Sequence, residues 1–356
     1  MSNATTSNTP EMTIGLDLGD RLAHYAVLDG AGELVASGRF RTTSSDFQAF
    51  FAHLKPARVV LEAGAQSPWT SRLLASLGHE VVVANPRRVQ LIAKNPRKSD
   101  QVDAETLARL GRLDPRLLQP VLHRDEQAQA ALALIRSRHA LVASRTLLIN
   151  HVRGAVKSFG SVVPRCDAHS FHRHAPSALP EELRPALLPL IQTIADITLR
   201  IRSLDGEVED QIRDCYPEAN LLRQVPGVGP LTAMAFVLVI QDPARFRKSR
   251  DAGAYLGLVP RQHQSGSRDP QLGISKCGDA YLRSLLVECA HFILSSRSPD
   301  SDLKRWGLAH LQAGDHVSKR RSVVAVARKL AVLLHHLWRT GEVYQPLRLE
   351  SEAAIA

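Results

Sequence analysis

The chain has 356 residues, with 45 Lys and Arg against 35 Asp and Glu and a formal net charge of +10 at pH 7; its pI is near 9.8. That length accommodates two or three domains, and the basic balance points to a polyanionic partner, most simply nucleic acid. Cys166, Cys215, Cys277 and Cys289 form no CxxC pair, which fits free thiols in a reducing cytoplasm, and the lack of any apolar run of about 18 residues excludes a membrane-spanning helix.

The polar opening MSNATTSNTP has no signal-peptide core, and residues 1–11 read as a disordered leader. TIGLDLG predicts a buried strand ending near Asp17. HYAVLD and ELVASGRF predict two more, joined by the hairpin turn Asp29-Gly30-Ala31-Gly32. Ser45–Leu54 reads as a helix, RVVLEAG as a buried strand with Glu62 at its end, Thr70–Leu77 as a helix and EVVVANP as a strand. In RKSDQVDAETLARLGRL (97–113), Ser99 or Asp100 can cap a helix that carries Leu107, Leu110 and Leu113 on one stripe. Strands and helices in this order predict a mixed α/β sheet domain over residues 12–120.

Arg124–Phe159 predicts one long helix. A His- and Pro-rich link (161–180) precedes a second, where Leu187, Leu190, Ile194, Ile197, Ile201, Leu204, Val208 and Ile212 recur at coiled-coil spacing. Residues 121–216 therefore read as a coiled-coil region, either a hairpin within one chain or a zipper between two. Residues 217–350 read as a separate, mostly helical domain with 19 Lys and Arg against 11 Asp and Glu. Most of the excess positive charge lies there, and so do the expected nucleic-acid contacts, Lys319, Arg320 and Arg321 among them.

Three constellations carry possible chemistry. Asp100 and Asp103 share a helix face, where like charges repel. The first and fourth strands of such a sheet can be neighbours, which brings Asp17 and Glu62 to one sheet end, and the following helix can pack over them. Four converging acids are unfavourable alone and favourable around Mg²⁺ or Mn²⁺; two such ions about 3.5–4 Å apart can clamp the oxygens of a phosphodiester. The plain alternative is a solvated helix start. QVPGVGPLTAMAF (224–236) places Gly227 and Gly229 between helices, as a helix-hairpin-helix-like phosphate cradle or an ordinary tight turn. GLVPRQHQSGSRDPQLGISKCGDAYLRSLL (257–286) sets Ser265 and Ser267 among Arg261, Arg268, Lys276 and Arg283, where cations can support a serine alkoxide; from its residues alone, Ser265 is a loop serine. Cys166, His169, His172 and His174 are compact but lack the usual zinc-finger spacing.

The acids in IGLDLGDRLAHYAVLD (14–29), VVLEAG (59–64) and KSDQVDA (98–104) resemble the RuvC branch of the RNase H-like fold. A sugar-kinase or actin-like ATPase would need a second acidic phosphate loop and a Gly-Gly adenosine motif, and neither is found. Together with NPRRV (85–89), PGVG (226–229) and GLVP…SG…GISKCG…LR, the order and spacing resemble the DEDD transposases of bacterial insertion sequences, which include Piv-type DNA invertases and bridge-RNA-guided recombinases. The resemblance spans roughly residues 13–345.

That resemblance implies an RNase H-like domain, coiled-coil helices and a helical transposase domain. Its metal ligands map to Asp17, Glu62, Asp100 and Asp103, and its nucleophile to Ser265, with no match for Ser267. It implies a cytoplasmic, nucleoid-associated bacterial recombinase acting on donor and target double-stranded DNA with Mg²⁺ (or Mn²⁺) and a guide RNA. A covalent phosphoserine would form, in a site assembled across protomers of a dimer or tetramer. The alternatives are a RuvC-like junction resolvase or nuclease that uses water, and a catalytically silent nucleic-acid-binding protein.

Overall fold

Five strands form one sheet: β1 (Thr13–Leu18), β2 (Leu22–Leu28), β3 (Leu34–Arg41), β4 (Arg58–Glu62) and β5 (Glu80–Ala84), in the order β3-β2-β1-β4-β5. The pairings β1–β2 and β2–β3 are antiparallel, whereas β1–β4 and β4–β5 are parallel. Helices α1 (Ser44–Phe51), α2 (Ser67–Ser76), α3 (Pro86–Ile92) and α4 (Asp100–Leu113) complete an RNase H-like unit. The computed structural model describes residues 11–92, 99–262, 272–312 and 316–348. The predicted leader up to residue 10 lies outside these. The chain divides into two units after Asp125.

Alternation along each strand decides which side chains share a face. Ile14 and Leu16 of β1, Ala23 and Val27 of β2, and Val59 and Leu61 of β4 enter a core with Phe47, Phe51 and Leu74 from α1 and α2. Val60 and Val82 point the other way and pack with Leu107 of α4. The same parity sends Gly15, Asp17, His24 and Glu62 to the α4 side.

Helix α4 settles directly on β1. A Cβ at Gly15 would lie 2.0 Å from the Ala104 carbonyl oxygen and 2.6 Å from the Ala108 nitrogen, so only glycine permits this approach. The buried face of α4 is Ala104, Leu107, Ala108 and Gly111, the one-stripe pattern of an amphipathic helix. This corrects the predicted leucine stripe. Leu110 is only partly buried and Leu113 is 76% exposed, because the helix turns its small residues toward the sheet. At its start, Ser99 Oγ caps by accepting from the Val102 amide at 3.3 Å, and Gln101 Nε2 donates to the Tyr25 carbonyl at 2.9 Å. At its far end, Arg112 donates to the Gly30 carbonyl in the predicted β2–β3 turn. The Asp29 carboxylate in that turn accepts from the Glu33 and Ala31 amides, which hold it below the usual carboxylate range.

In the second unit, α5 (Glu126–Ser158) and α7 (Arg184–Asp214) pair as an antiparallel hairpin around the link that carries α6 (Phe171–His174). Ile149, Val152 and Val156 pack with Leu187, Ile191, Ile194 and the fully buried Phe171. Arg138 Nε meets Asp205 Oδ1 at 2.8 Å, and Arg145 Nη1 donates to Thr198 Oγ1 at 3.3 Å. Of the two pairings open from the heptads, the one within a single chain is therefore present. Helices α8 (Glu218–Leu222), α9 (Pro230–Ile240), α10 (Arg250–Tyr255), α11 (Ala280–Ile293), α12 (Asp302–Gln312) and α13 (His316–Thr340) follow. Helix α9 is buried from Thr232 to Ile240 and forms the centre of this part, with Leu286 and Ala290 of α11 and Leu330 and Leu334 of α13 around it. Among the described residues no helix is long and apolar enough to cross a membrane.

Gly15→Ala is expected to destabilise the N-terminal unit by about 1–3 kcal/mol through overpacking. Thermal unfolding of the full chain checks this, with amide exchange in α4 accelerating first.

Candidate metal centre and nucleic-acid interface

Asp17 and His24 are direct cross-strand partners in the β1–β2 ladder. The β1–β4 register pairs Leu16 with Leu61, so Asp17 and Glu62 follow side by side at the ends of parallel strands. The first turn of α4 carries Asp100 and Asp103, and Asp100 reaches this edge. Because Ser99 takes the helix cap, the Asp100 carboxylate is left to turn toward the sheet, and its Oδ2 lies 3.5 Å from His24 Nδ1.

One ligand atom each from Asp17, His24 and Asp100 lie within 4.8 Å of one another. Among the described residues this is the one group of three His, Cys, Asp or Glu side chains with that spacing. Glu62 and Asp103, the other two predicted ligands, are not part of this group. Two carboxylates and an imidazole are a donor set that divalent cations accept, so the residues present fit such an ion. Sequence reasoning missed His24. Its signal was the short β1–β2 connection, which fixes the partner of Asp17. Cys166, His169, His172 and His174 form no comparable group among the described residues.

Ser265, Ser267 and Arg268 lie outside the described residues. The flanks of their segment are held side by side. The Arg261 amide donates to the Gly273 carbonyl at 3.0 Å, the Ser275 amide to Val259 at 2.8 Å and the Lys276 amide to Gly257 at 3.2 Å. Gly257 is obligatory at this crossing: its φ is +70° and a Cβ would lie 2.3 Å from the Cys277 nitrogen. The side chains of Arg261 and Lys276 are exposed. Arg283 is used differently, since its Nη1 donates to the Leu256 carbonyl at 3.0 Å and the Cys277 carbonyl at 2.7 Å, tying both flanks to α11. Arg320 and Arg321 are exposed on α13, the helix that also contains Lys319.

The PGVG turn joins α8 to α9. Gly227 has φ +88°, and Gly229 caps α9. The turn borders a groove of about 740 Å³ whose lining includes Asp205, Glu209, Glu288, Arg223 and Phe292. Arg223 is engaged by Glu209 at distances of 2.8 and 3.1 Å. Carboxylates outnumber cations in this lining, a charge that opposes a phosphate. Of the two readings of the motif, the lining favours the tight turn.

Fold and donor set together are those of an RNase H-like α/β domain with a candidate divalent-cation site. Residues 14–160 match a transposase family model of the DEDD, IS110 type, and residues 219–304 match the transposase IS116/IS110/IS902 family. A probable family 20 transposase of Pseudomonas aeruginosa is 31% identical over 94% of this chain and 98% of its own. The transposase for insertion sequence element IS1328 of Yersinia enterocolitica is 31% identical over 94% of this chain and 99% of its own. The pilin gene-inverting protein of Moraxella lacunata is 26% identical over 83% and 84%. The chain belongs to the IS116/IS110/IS902 transposase family, and its activity is that of a DNA transposase and recombinase.

Arg283→Ala removes charged hydrogen bonds to two carbonyls, each worth about 1.5–3 kcal/mol. A lower unfolding midpoint and faster proteolysis between residues 256 and 277 are expected; limited digestion of the folded chain checks the second.

Proposed function

We propose that this transposase cuts and rejoins double-stranded DNA through a covalent phosphoserine at Ser265, guided by a bound RNA, with Mg²⁺ or Mn²⁺ held by Asp17, Glu62, Asp100 and Asp103. The observation that carries the reading is the meeting of Asp17 of β1 with Asp100 of α4 beside His24 at the strand ends, on a sheet edge where the parallel β1–β4 register runs Glu62 alongside Asp17. Family membership and the resemblance of the Ser265 segment support the remainder. A bound divalent ion would stabilise charge on the phosphodiester oxygens.

In this reading the Ser265 oxygen attacks phosphorus and gives up its proton. The bond from phosphorus to one DNA oxygen breaks, and that oxygen leaves as a protonated hydroxyl. A hydroxyl from another strand later attacks the phosphoserine, which restores both the phosphodiester and the serine. The energy of the broken bond is conserved, so no high-energy cofactor is needed. The acids belong to the first unit and the Ser265 segment to the second, which is compatible with a composite site built between protomers of a dimer or tetramer. Acting on DNA with reduced thiols suits the bacterial cytoplasm.

Ser265→Ala is expected to bind guide RNA and DNA but form no covalent adduct, whereas Ser267→Ala still forms one, as denaturing gels of labelled DNA will show. Asp103→Ala is expected to abolish cleavage, and mixing it with Ser265→Ala should restore part of it. A mixture that stays inactive while both variants assemble places the site within one chain. Adducts from Ser265→Ala refute the serine assignment. Strand scission in Mg²⁺ with no adduct from the unaltered chain favours the junction-resolvase chemistry.

For the basic domain, combined Lys319→Ala, Arg320→Ala and Arg321→Ala is expected to weaken DNA binding regardless of sequence. The slope of log K against log salt should flatten by about 0.9 for each phosphate that is no longer neutralised. Equilibrium binding over a salt series checks this.

A further inference from the structure

We propose that His24 is a nitrogen ligand of the divalent ion at the end of β1, and that it biases the site toward Mn²⁺ over Mg²⁺. The inference rests on the reading of this edge as a metal site and adds to the four acids a residue outside them.

Three independent constraints bring the imidazole there. The β1–β2 register pairs His24 directly with Asp17. Strand alternation puts both on the face covered by α4. Gln101 then ties the first turn of α4 to the β2 carbonyl of Tyr25 at 2.9 Å, next to His24. The His24 side chain is 17% exposed, and its Nδ1 stands 3.5 Å from Asp100 Oδ2. That separation is longer than the 2.7–3.2 Å of an N–H···O hydrogen bond, so the pair is not closed into a direct bond. Ligands about 2.0–2.2 Å from a shared ion lie at most about 4.4 Å apart. The donor atoms of Asp17, His24 and Asp100 fall within 4.8 Å of one another, so shifts of a few tenths of an ångström suffice.

The donor type sets the preference. Mg²⁺ takes oxygen ligands and keeps much of its water; Mn²⁺ shares its liking for carboxylates, but as a transition ion it accepts an imidazole nitrogen more readily than Mg²⁺ does. A nitrogen in the shell therefore favours Mn²⁺ more than Mg²⁺. The rival role for His24 is a protonated imidazole that neutralises the two carboxylates and leaves when metal enters.

Pulsed electron paramagnetic resonance on the full chain with one equivalent of Mn²⁺ separates the two. Expected are ¹⁴N couplings from a directly bound nitrogen, lost in His24→Asn and His24→Leu. Mn²⁺ affinity should fall about 10-fold or more in these variants, with Mg²⁺ affinity, read by competition, changing less than about 3-fold. Circular dichroism confirms which variant is folded, and either suffices. Stoichiometric Mn²⁺ that Asp17→Asn abolishes, with no ¹⁴N coupling in the unaltered chain, overturns the His24 assignment and leaves the metal site standing. Absence of stoichiometric Mn²⁺, with Asp17→Asn changing nothing, overturns both.

Discussion

The close approach of α4 to β1 at Gly15 governs the candidate site. Ordinary carbon contacts need about 3.4–4 Å, yet a side chain at residue 15 would meet the Ala104 carbonyl at 2.0 Å, so any larger residue would lift the helix by more than an ångström. Metal ligands tolerate errors of only about 0.2 Å. Asp100 and Asp103 ride on the first turn of this helix, and Asp17 follows Gly15 by two residues on the same strand face. One missing methyl group therefore couples the packing of the unit to the spacing of its acids.

A second backbone crossing lies beside the segment of the proposed nucleophile. At Gly257 the chain passes close to Cys277, and a short ladder holds the two flanks of the Ser265 segment together. Arg283 fastens both flanks to α11 from below. The first-unit acids stand on backbone fixed by close packing, and so do the described flanks of the Ser265 segment, which suits the proposal that groups there are held within fractions of an ångström of a phosphate.

Net charge overstates the cations available to DNA. Arg283 serves two carbonyls, Arg223 serves Glu209 and Arg138 serves Asp205. The groove beside PGVG is acidic even though the domain around it is basic. Exposed residues such as Arg261, Lys276, Arg320 and Arg321 are the ones with guanidinium or ammonium groups at the surface. Burial and pairing sort the basic residues into these two roles, and charge counting along the chain treats them alike.

Much of the N-terminal unit was legible from local pattern. Short apolar runs bounded by turn residues marked the five strands, Asp29-Gly30-Ala31-Gly32 marked the hairpin turn, and Ser99 or Asp100 marked the start of α4. The positions of Asp17 and Glu62 at strand ends, and the pairing of β1 with β4, also followed from element order. Sequence by itself did not settle which side of α4 meets the sheet, and of the predicted leucine stripe only Leu107 is fully buried. It left the long helices free to pair within or between chains, and it gave Arg283 and Arg261 the same standing. His24 escaped notice because its role depends on cross-strand register. Periodicity is a property of a single segment and can be read along the chain; register, close backbone approach and the partner of a charged group each depend on two segments at once, and only the tertiary structure decided them.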